Sequence, residues 1–416
     1  MTMSARAMST KKMVPMLLVF SGALLAGPRA VSAQACSQTL NPGDSVTAAI
    51  DMAAPGSTIC LNPGNYGSVS MYDVTKNPRV TVRSTSLQSA TFSLTTTDGV
   101  NGFTFDSVTL ASWDLSGSAT RNITVQNTRF IGQADLNLCD VANANILIDN
   151  STFINITVST NSSEGRLNIA QPGCLGSEPV GVTVTNSLFQ NENKVGGRGE
   201  SDGIQIGAYG VVIGPGNIFR DIRQGDFTRH VDAIQLYGQS HTTITGNYFS
   251  GNDPHLGAYD GGDTETITYN IFENSAGSGE MVQLLGHHDD VVSHNSFVVT
   301  TGDPLKLIID AKGGDAISAN NLIRDNLFRG AIIQADCPTC TITHNMFSSD
   351  GLGSNNITGS PTFVGGVNPT TLAGFQLAPG SVGKGAASDG QDMGASSQGR
   401  STGVPPAPTN LRVIVP

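Results

Sequence analysis

Ile123-Thr-Val-Gln-Asn127-Thr-Arg-Phe130 is followed by Ile146-Leu-Ile-Asp-Asn150-Ser-Thr-Phe153 and Val182-Thr-Val-Thr-Asn186-Ser-Leu-Phe189. Each time, a short β-branched run ends in Asn and then Phe. The pattern returns at Asn217-Ile-Phe219, Ile244-Thr-Gly-Asn247-Tyr-Phe249, Ile267-Thr-Tyr-Asn270-Ile-Phe272, Asn295-Ser-Phe297, Asn326-Leu-Phe328 and Ile342-Thr-His-Asn345-Met-Phe347. The nine phenylalanines from Phe130 to Phe347 are spaced 19 to 36 residues apart, about 27 on average. A repeat of that period marks a stacked architecture, with loops of unequal length interrupting a regular core. Each unit holds short strands of alternating Ile and Val between Gly, Asn and Asp turn residues. Helical periodicity is confined to a short stretch near residues 45–53. One such unit cannot bury its apolar face alone. Units stacked ~4.8 Å apart can, by placing Phe on Phe. The asparagines then form a ladder at one turn, where Asn tolerates left-handed backbone and its amides bond along the stack. The reading is all-β: a parallel β-solenoid.

The rest of the composition agrees. Charged residues are 13% of 416, about half the ~25% usual for globular domains, and there are 49 glycines. Helical bundles and disordered acidic tails are thereby excluded. A formal charge of −11 argues against nucleic acid as partner, since phosphate needs a basic surface. Arg6, Lys11 and Lys12 precede an apolar run from Met13 to Ala26, and Val31-Ser-Ala33 offers small residues for cleavage. Residues 1–33 therefore read as a secretory signal peptide, too short in its apolar core for a membrane span. Its removal takes four basic residues and no acidic one, moving the charge from −11 to −15. A secreted or periplasmic monomer without membrane attachment is expected. Six cysteines suit that compartment but allow fifteen connectivities. Position along the chain suggests Cys36–Cys60, Cys139–Cys174 and Cys337–Cys340. Zinc at Cys337-Pro-Thr-Cys340 is the rival, without a second ligand pair.

The ends of the chain carry a resemblance. Val46–Tyr66, with Asp51-Met-Ala-Ala-Pro-Gly56 and Leu61-Asn-Pro-Gly-Asn-Tyr66, resembles the N-terminal capping helix and first coil of right-handed parallel β-helix proteins, the pectate-lyase-like superfamily. Ser360-Pro-Thr-Phe-Val-Gly-Gly366, Phe375-Gln-Leu-Ala-Pro-Gly-Ser381 and Asp392-Met-Gly-Ala395 resemble its closing coils. The resemblance implies a β-helix domain over 34–396, a right-handed coil and carbohydrate as the class of ligand. Because the fold hosts lyases, epimerases, hydrolases and adhesins, it does not name an activity. Residues 397–416, rich in Ser, Gly and Pro, read as a flexible tail.

Counting back from the phenylalanines yields two columns. Gln205, Gln235 and Gln283 stand fourteen residues before Phe219, Phe249 and Phe297. Asp202, Asp232, His255 and Glu280 stand seventeen before Phe219, Phe249, Phe272 and Phe297. Equal register in a solenoid means stacking, so each column is one surface strip. In Asp232-Ala-Ile-Gln-Leu-Tyr237, alternation turns Gln235 and Tyr237 outward; Asp232 shares the inward phase unless a turn intervenes. Two readings of the acids stand side by side: Asx-type bonds to turn amides, or a Ca²⁺ site from Asp202, Asp232 and Glu280. The glutamines are either a ladder without a ligand or, with Tyr237, a floor that binds sugar hydroxyls. Lys306, in Leu305-Lys-Leu-Ile-Ile-Asp310, is either a solvated lysine or a base for the C5 proton of a uronate. Arg229 and His230, beside Asp232, are the other candidates for base or charge stabiliser.

Asp253-Pro-His255 resembles the Asp-Pro-His string of mannuronan C5-epimerases, which would make Asp253 and His255 catalytic with Tyr237 or Tyr259 as proton partner. Leu256 stands where those enzymes have an acid. The strings of pectin hydrolases and pectate lyases are missing, and Gly286-His-His-Asp-Asp290 is only an echo of the former. Together these features lead to an expected polysaccharide lyase cleaving an acidic, uronate-containing chain by β-elimination. A C5-epimerase and a non-catalytic glycan-binding surface protein are the alternatives.

Overall fold

A computed structural model describes residues 35–139, 141–156, 158, 165–170, 174, 178–191, 201–223, 231–238, 241–274, 280–301, 305–313 and 317–395, with only the backbone of Glu280. The signal segment, the tail, Arg229 and His230 lie outside them.

Each coil lays down three short strands, as in Thr243–Thr245, Tyr248–Ser250 and Leu256–Ala258, then Thr266–Thr268, Ile271–Glu273 and Glu280–Leu285. Strands of successive coils pair in parallel and in register, so the chain winds as a right-handed parallel β-helix. One face stacks Val184, Ile213, Ile244, Ile267, Val292, Ile323 and Ile342. The next stacks the phenylalanines, Phe130 to Phe347 without a break. Their ring centroids lie 4.1 to 5.0 Å apart. Near-parallel buried rings add about 0.5–1.5 kcal/mol per pair beyond area burial. The third face carries the glutamines.

The asparagine repeat proves to be two adjacent columns: both bond along the stack, but only one has left-handed backbone and only the other is wholly interior. The residue three before each phenylalanine has left-handed backbone: Asn127, Asn150 and Asn186, then Gly216, Gly246, Tyr269, His294, Asp325 and His344. The residue two before it faces inward and makes the ladder. Asn217, Asn247, Asn270, Asn295, Asn326 and Asn345 are 0% exposed. From Asn217 to Asn326, each Nδ2 donates to the Oδ1 of the next at 3.0–3.1 Å. Thr128, Ser151 and Ser187 hold the same place in the earlier coils. The shared shorthand "Asn then Phe" therefore covers a one-residue shift, at Asn217, from the left-handed column to the interior one.

Helix α1, Val46–Met52, begins at Ser45, whose Oγ accepts from Ala48 N at 3.1 Å, and buries Val46, Ala49 and Ile50 over the first coil. Cysteines pair as Cys36–Cys60, Cys139–Cys174 and Cys337–Cys340, which fits an oxidising compartment and leaves the zinc rival no thiolates. Among the described residues no helix is long and apolar enough to cross a membrane. The segment resembling closing coils does something different. It packs against the outside of the phenylalanine face, where Phe363, Phe375, Leu377 and Met393 cover Tyr248, Ile271, Val298, Leu327 and Met346. Those outward positions are apolar in five successive coils, so they need a cover.

Candidate functional site

Outward side chains of the third face run in register through Asp114, Asp135, Asn168, Gln205, Gln235, Gly257, Gln283, Ile308 and Gln334. The three glutamines share one column, with Gly257 between the second and third. The gap is filled from the side. A Cβ on Gly257 would lie 2.5–2.6 Å from the ring and hydroxyl of Tyr259, so that ring lies over the glycine. Counting back from Phe272 misses this, because the strand before it stands one residue farther from its phenylalanine than in the neighbouring coils.

That extra residue also corrects the acid column. His255 takes the register of Ala233, an inward position, instead of that of Asp232. Its ring packs 5.9 Å from both Phe249 and Phe272, fully buried, with Nδ1 3.0 Å from Asn252 Nδ2. Burial drives the imidazole down to about 3, so it is neutral. A core histidine cannot meet a polysaccharide, and the epimerase-like role for it does not hold.

Asp202 and Asp232 do come together. A turn intervenes: Ala233 and Ile234 both join the apolar core, alternation begins at Ile234, and the Asp232 carboxylate is released to the polar side. Asp232 N donates to Asp202 Oδ1 at 2.8 Å. Gln205 Nε2 reaches Asp202 Oδ2 at 2.8 Å, Gln235 Oε1 at 3.2 Å and Tyr237 Oη at 3.4 Å. Tyr259 Oη donates to Asp232 Oδ1 at 3.0 Å. Gln205 and Gln235 are only 1% and 3% exposed. They hold the acids and Tyr237 in place, while Tyr237, Tyr259, Gln283 and Lys306 are the half-buried groups. Burial, then the charges of Asp202, Asp232 and Asp260, push the Tyr237 phenol up to about 12. It stays protonated at neutral pH and can give a proton away.

Arg166 went unnoticed in the sequence. Its guanidinium is fully buried and donates to the carbonyls of Phe153 and Gln190 at 3.2 and 2.7 Å, and to Ser201 Oγ and Asn191 Oδ1 at 3.3 and 2.6 Å. Burial pulls it down to about 10, opposed by the charge of Asp202, and it remains a cation at neutral pH. The signal was available: Gly165-Arg-Leu-Asn-Ile169 pairs with Asp202-Gly-Ile-Gln-Ile206, with Asn168 in the glutamine column.

Lys306 is not part of this cluster. Its backbone pairs with that of Glu280, and its coil lies three steps from Gln235, roughly 14 Å along the stack. Of the three acids read as Ca²⁺ ligands, Asp202 and Asp232 lie together, with each Asp202 oxygen accepting an amide hydrogen, while the Glu280 side chain lies outside the described residues. Among the described residues, the group of three ligand-type side chains at metal spacing is Glu265, His287 and Asp290, in the interior.

The chain matches no protein-family model and no curated protein. Solved structures do align. A PL6-family polysaccharide lyase from Pseudopedobacter saltans matches with 15% identity and TM-score 0.48 over 78% of this chain and 92% of its own. The A-module of a mannuronan C-5 epimerase from Azotobacter vinelandii matches with 14% identity and TM-score 0.45 over 73% and 99%. A PL6 alginate lyase in complex with a trisaccharide matches with 10% identity and TM-score 0.49 over 86% and 94%. At such identities and TM-scores these likenesses assign no activity to this chain.

Proposed function

We propose that this chain is an exported enzyme acting on a uronate-containing polysaccharide at C5, with β-elimination as the leading outcome. One observation carries the reading: two phenols, Tyr237 and Tyr259, sit at a buried carboxylate pair on the outward face of a solenoid. A strip stepping ~4.8 Å per coil suits an extended chain. In the reaction a base takes the C5 proton, the C4–O bond breaks as C4=C5 forms, and Tyr237 protonates the departing oxygen. Tyr237 then regains its proton from solvent. His230, adjoining Val231 and Asp232 in sequence, is the base this reading assigns; Arg229 would offset the uronate charge that Asp202 and Asp232 repel. Lys306, three coils away, would contact a neighbouring sugar. No step runs through Ca²⁺, which enters as an assay variable. A second phenol also suits epimerisation, in which a proton returns to C5 from the other side.

The test incubates the full chain with alginate, pectate and glycosaminoglycans, with and without Ca²⁺. Unsaturated uronate is followed by absorbance and C5 inversion by proton NMR. Either product from wild type, lost in Tyr237→Phe, supports the reading. Binding without product would turn the strip into a glycan-recognition surface, and no response to any glycan would sink both.

A further inference from the structure

Inside the coils that present Tyr259 and Gln283 outward, a different set of side chains meets. Thr242, Glu265, Asp290 and Asn321 each precede a strand of the Ile/Val face and stack in register, all 0% exposed. Asp290 Oδ1 accepts from Glu265 N at 3.0 Å, and Asn321 Oδ1 accepts from Asp290 N at 2.8 Å. His287 leans into this column, also 0% exposed, with Nδ1 3.1 Å from Asp290 Oδ2 and 3.5 Å from Glu265 Oε2. Its backbone is held on both sides, by Ser318 Oγ and by Asn321 Nδ2. One donor atom from each of Glu265, His287 and Asp290 lies within 4.8 Å of the others.

What this arrangement lacks is hydrogen. Glu265 Oε2 has only His287 Nδ1, at a long 3.5 Å and shared with Asp290, and Oε1 meets no donor, although the side chain is wholly buried. Thr242 Oγ1, one coil before Glu265, is also without a partner. Buried carboxylate oxygens left unmet are costly, and nearly all such groups in native proteins have a partner. An ordinary Asn-type ladder, as on the neighbouring turn, satisfies its own side chains; this one does not.

We propose that Glu265, His287 and Asp290 form a buried three-ligand site for a divalent first-row metal ion, Zn²⁺ by preference. One imidazole nitrogen and two carboxylate oxygens suit zinc, whereas calcium asks for more oxygens and no nitrogen. A site with no exposure has no room to exchange substrate, so its task is to staple the coils of residues 256–268 and 280–293 together from within. The strip outside is then carried on a stiffened pair of coils. This inference is independent of the proposed activity.

The test begins with full-length wild-type protein purified without added metal and analysed by inductively coupled plasma mass spectrometry, before and after dialysis against a strong chelator. Expected are about one equivalent of zinc before dialysis and loss of it after, with a fall in Tm that added Zn²⁺ restores and Ca²⁺ does not. In Co²⁺-loaded protein, absorption bands of a nitrogen–oxygen site would be seen in wild type and abolished in His287→Gln. Failure of Zn²⁺, Mn²⁺ and Co²⁺ to raise the Tm of the chelated wild type would overturn the proposal, whether or not the variants fold. So would metal bound equally by wild type and by the double variant Glu265→Gln, Asp290→Asn.

Discussion

Tyr259 crosses Gly257 and donates to Asp232 on the preceding coil, 3.0 Å away. The glycine is what makes the crossing possible, because any side chain there would occupy the ring's place. Gly257→Ala is expected to swing the flexible end of Tyr259 aside and break its bond to Asp232. Thermal melts should move little, within about 1 kcal/mol, while turnover falls at least tenfold. A melt lowered by more than ~3 kcal/mol would show that the ring cannot move and that the pair is structural.

Tyr237→Phe removes the proton donor and leaves the carboxylates and glutamines in place. The expected loss in kcat is about 10²- to 10⁴-fold, with KM nearly unchanged. Because the phenol is raised to about 12, its ionisation should not limit activity on the alkaline side below that region. Ultraviolet titration should show one phenol fewer ionising above pH 11 in the variant than in wild type.

The two asparagine columns should respond differently to substitution. Asn270→Ala removes an amide that donates to Ile244 O and Asn295 Oδ1 and accepts from Asn247, all in the interior. A loss of about 2–4 kcal/mol in denaturant unfolding is expected, since several buried groups are left unpaired. At Asn150 the left-handed backbone suits glycine and only the part-buried bond from its Nδ2 to Asn127 Oδ1 is lost, so Asn150→Gly should cost less, about 1 kcal/mol. Equal costs at both positions would mean that one role serves both columns.

His255 makes acid stability testable. Its folded value, about 3, lies below the ordinary 6.5, so below pH 6.5 the unfolded chain binds the extra proton. The stabilising contribution is complete above pH 6.5 and is lost as pH falls toward 3, at about 1.4 kcal/mol per pH unit. His255→Leu should flatten that part of the stability curve. An unchanged slope in the variant would assign acid sensitivity to other groups.

Much of the fold was open to a reader of the chain alone. All nine phenylalanines stack, the three cysteine pairs follow chain position, and α1 falls where residues 45–53 suggested. The site was legible where coil length is constant: Gln205 and Gln235, with Asp202 and Asp232, are thirty residues apart and meet. It failed at the coil of 23 residues between Phe249 and Phe272, where one residue more before the phenylalanine sent His255 into the core and put Gly257 in the column. Arg166 was hidden because a lone arginine in a strand reads as a surface charge until the carbonyls around it are seen.

Sequence by itself determined the solenoid, because periodic Phe, Asn and Ile positions can be buried only by stacking equivalent residues on one another. Tertiary structure alone decided which polar groups meet: Tyr259 with Asp232 across Gly257, and Glu265 with His287 and Asp290 inside. Loop length sets the register of each strand, and a shift of one residue turns a side chain from solvent to core. That difference is a property of the wound chain.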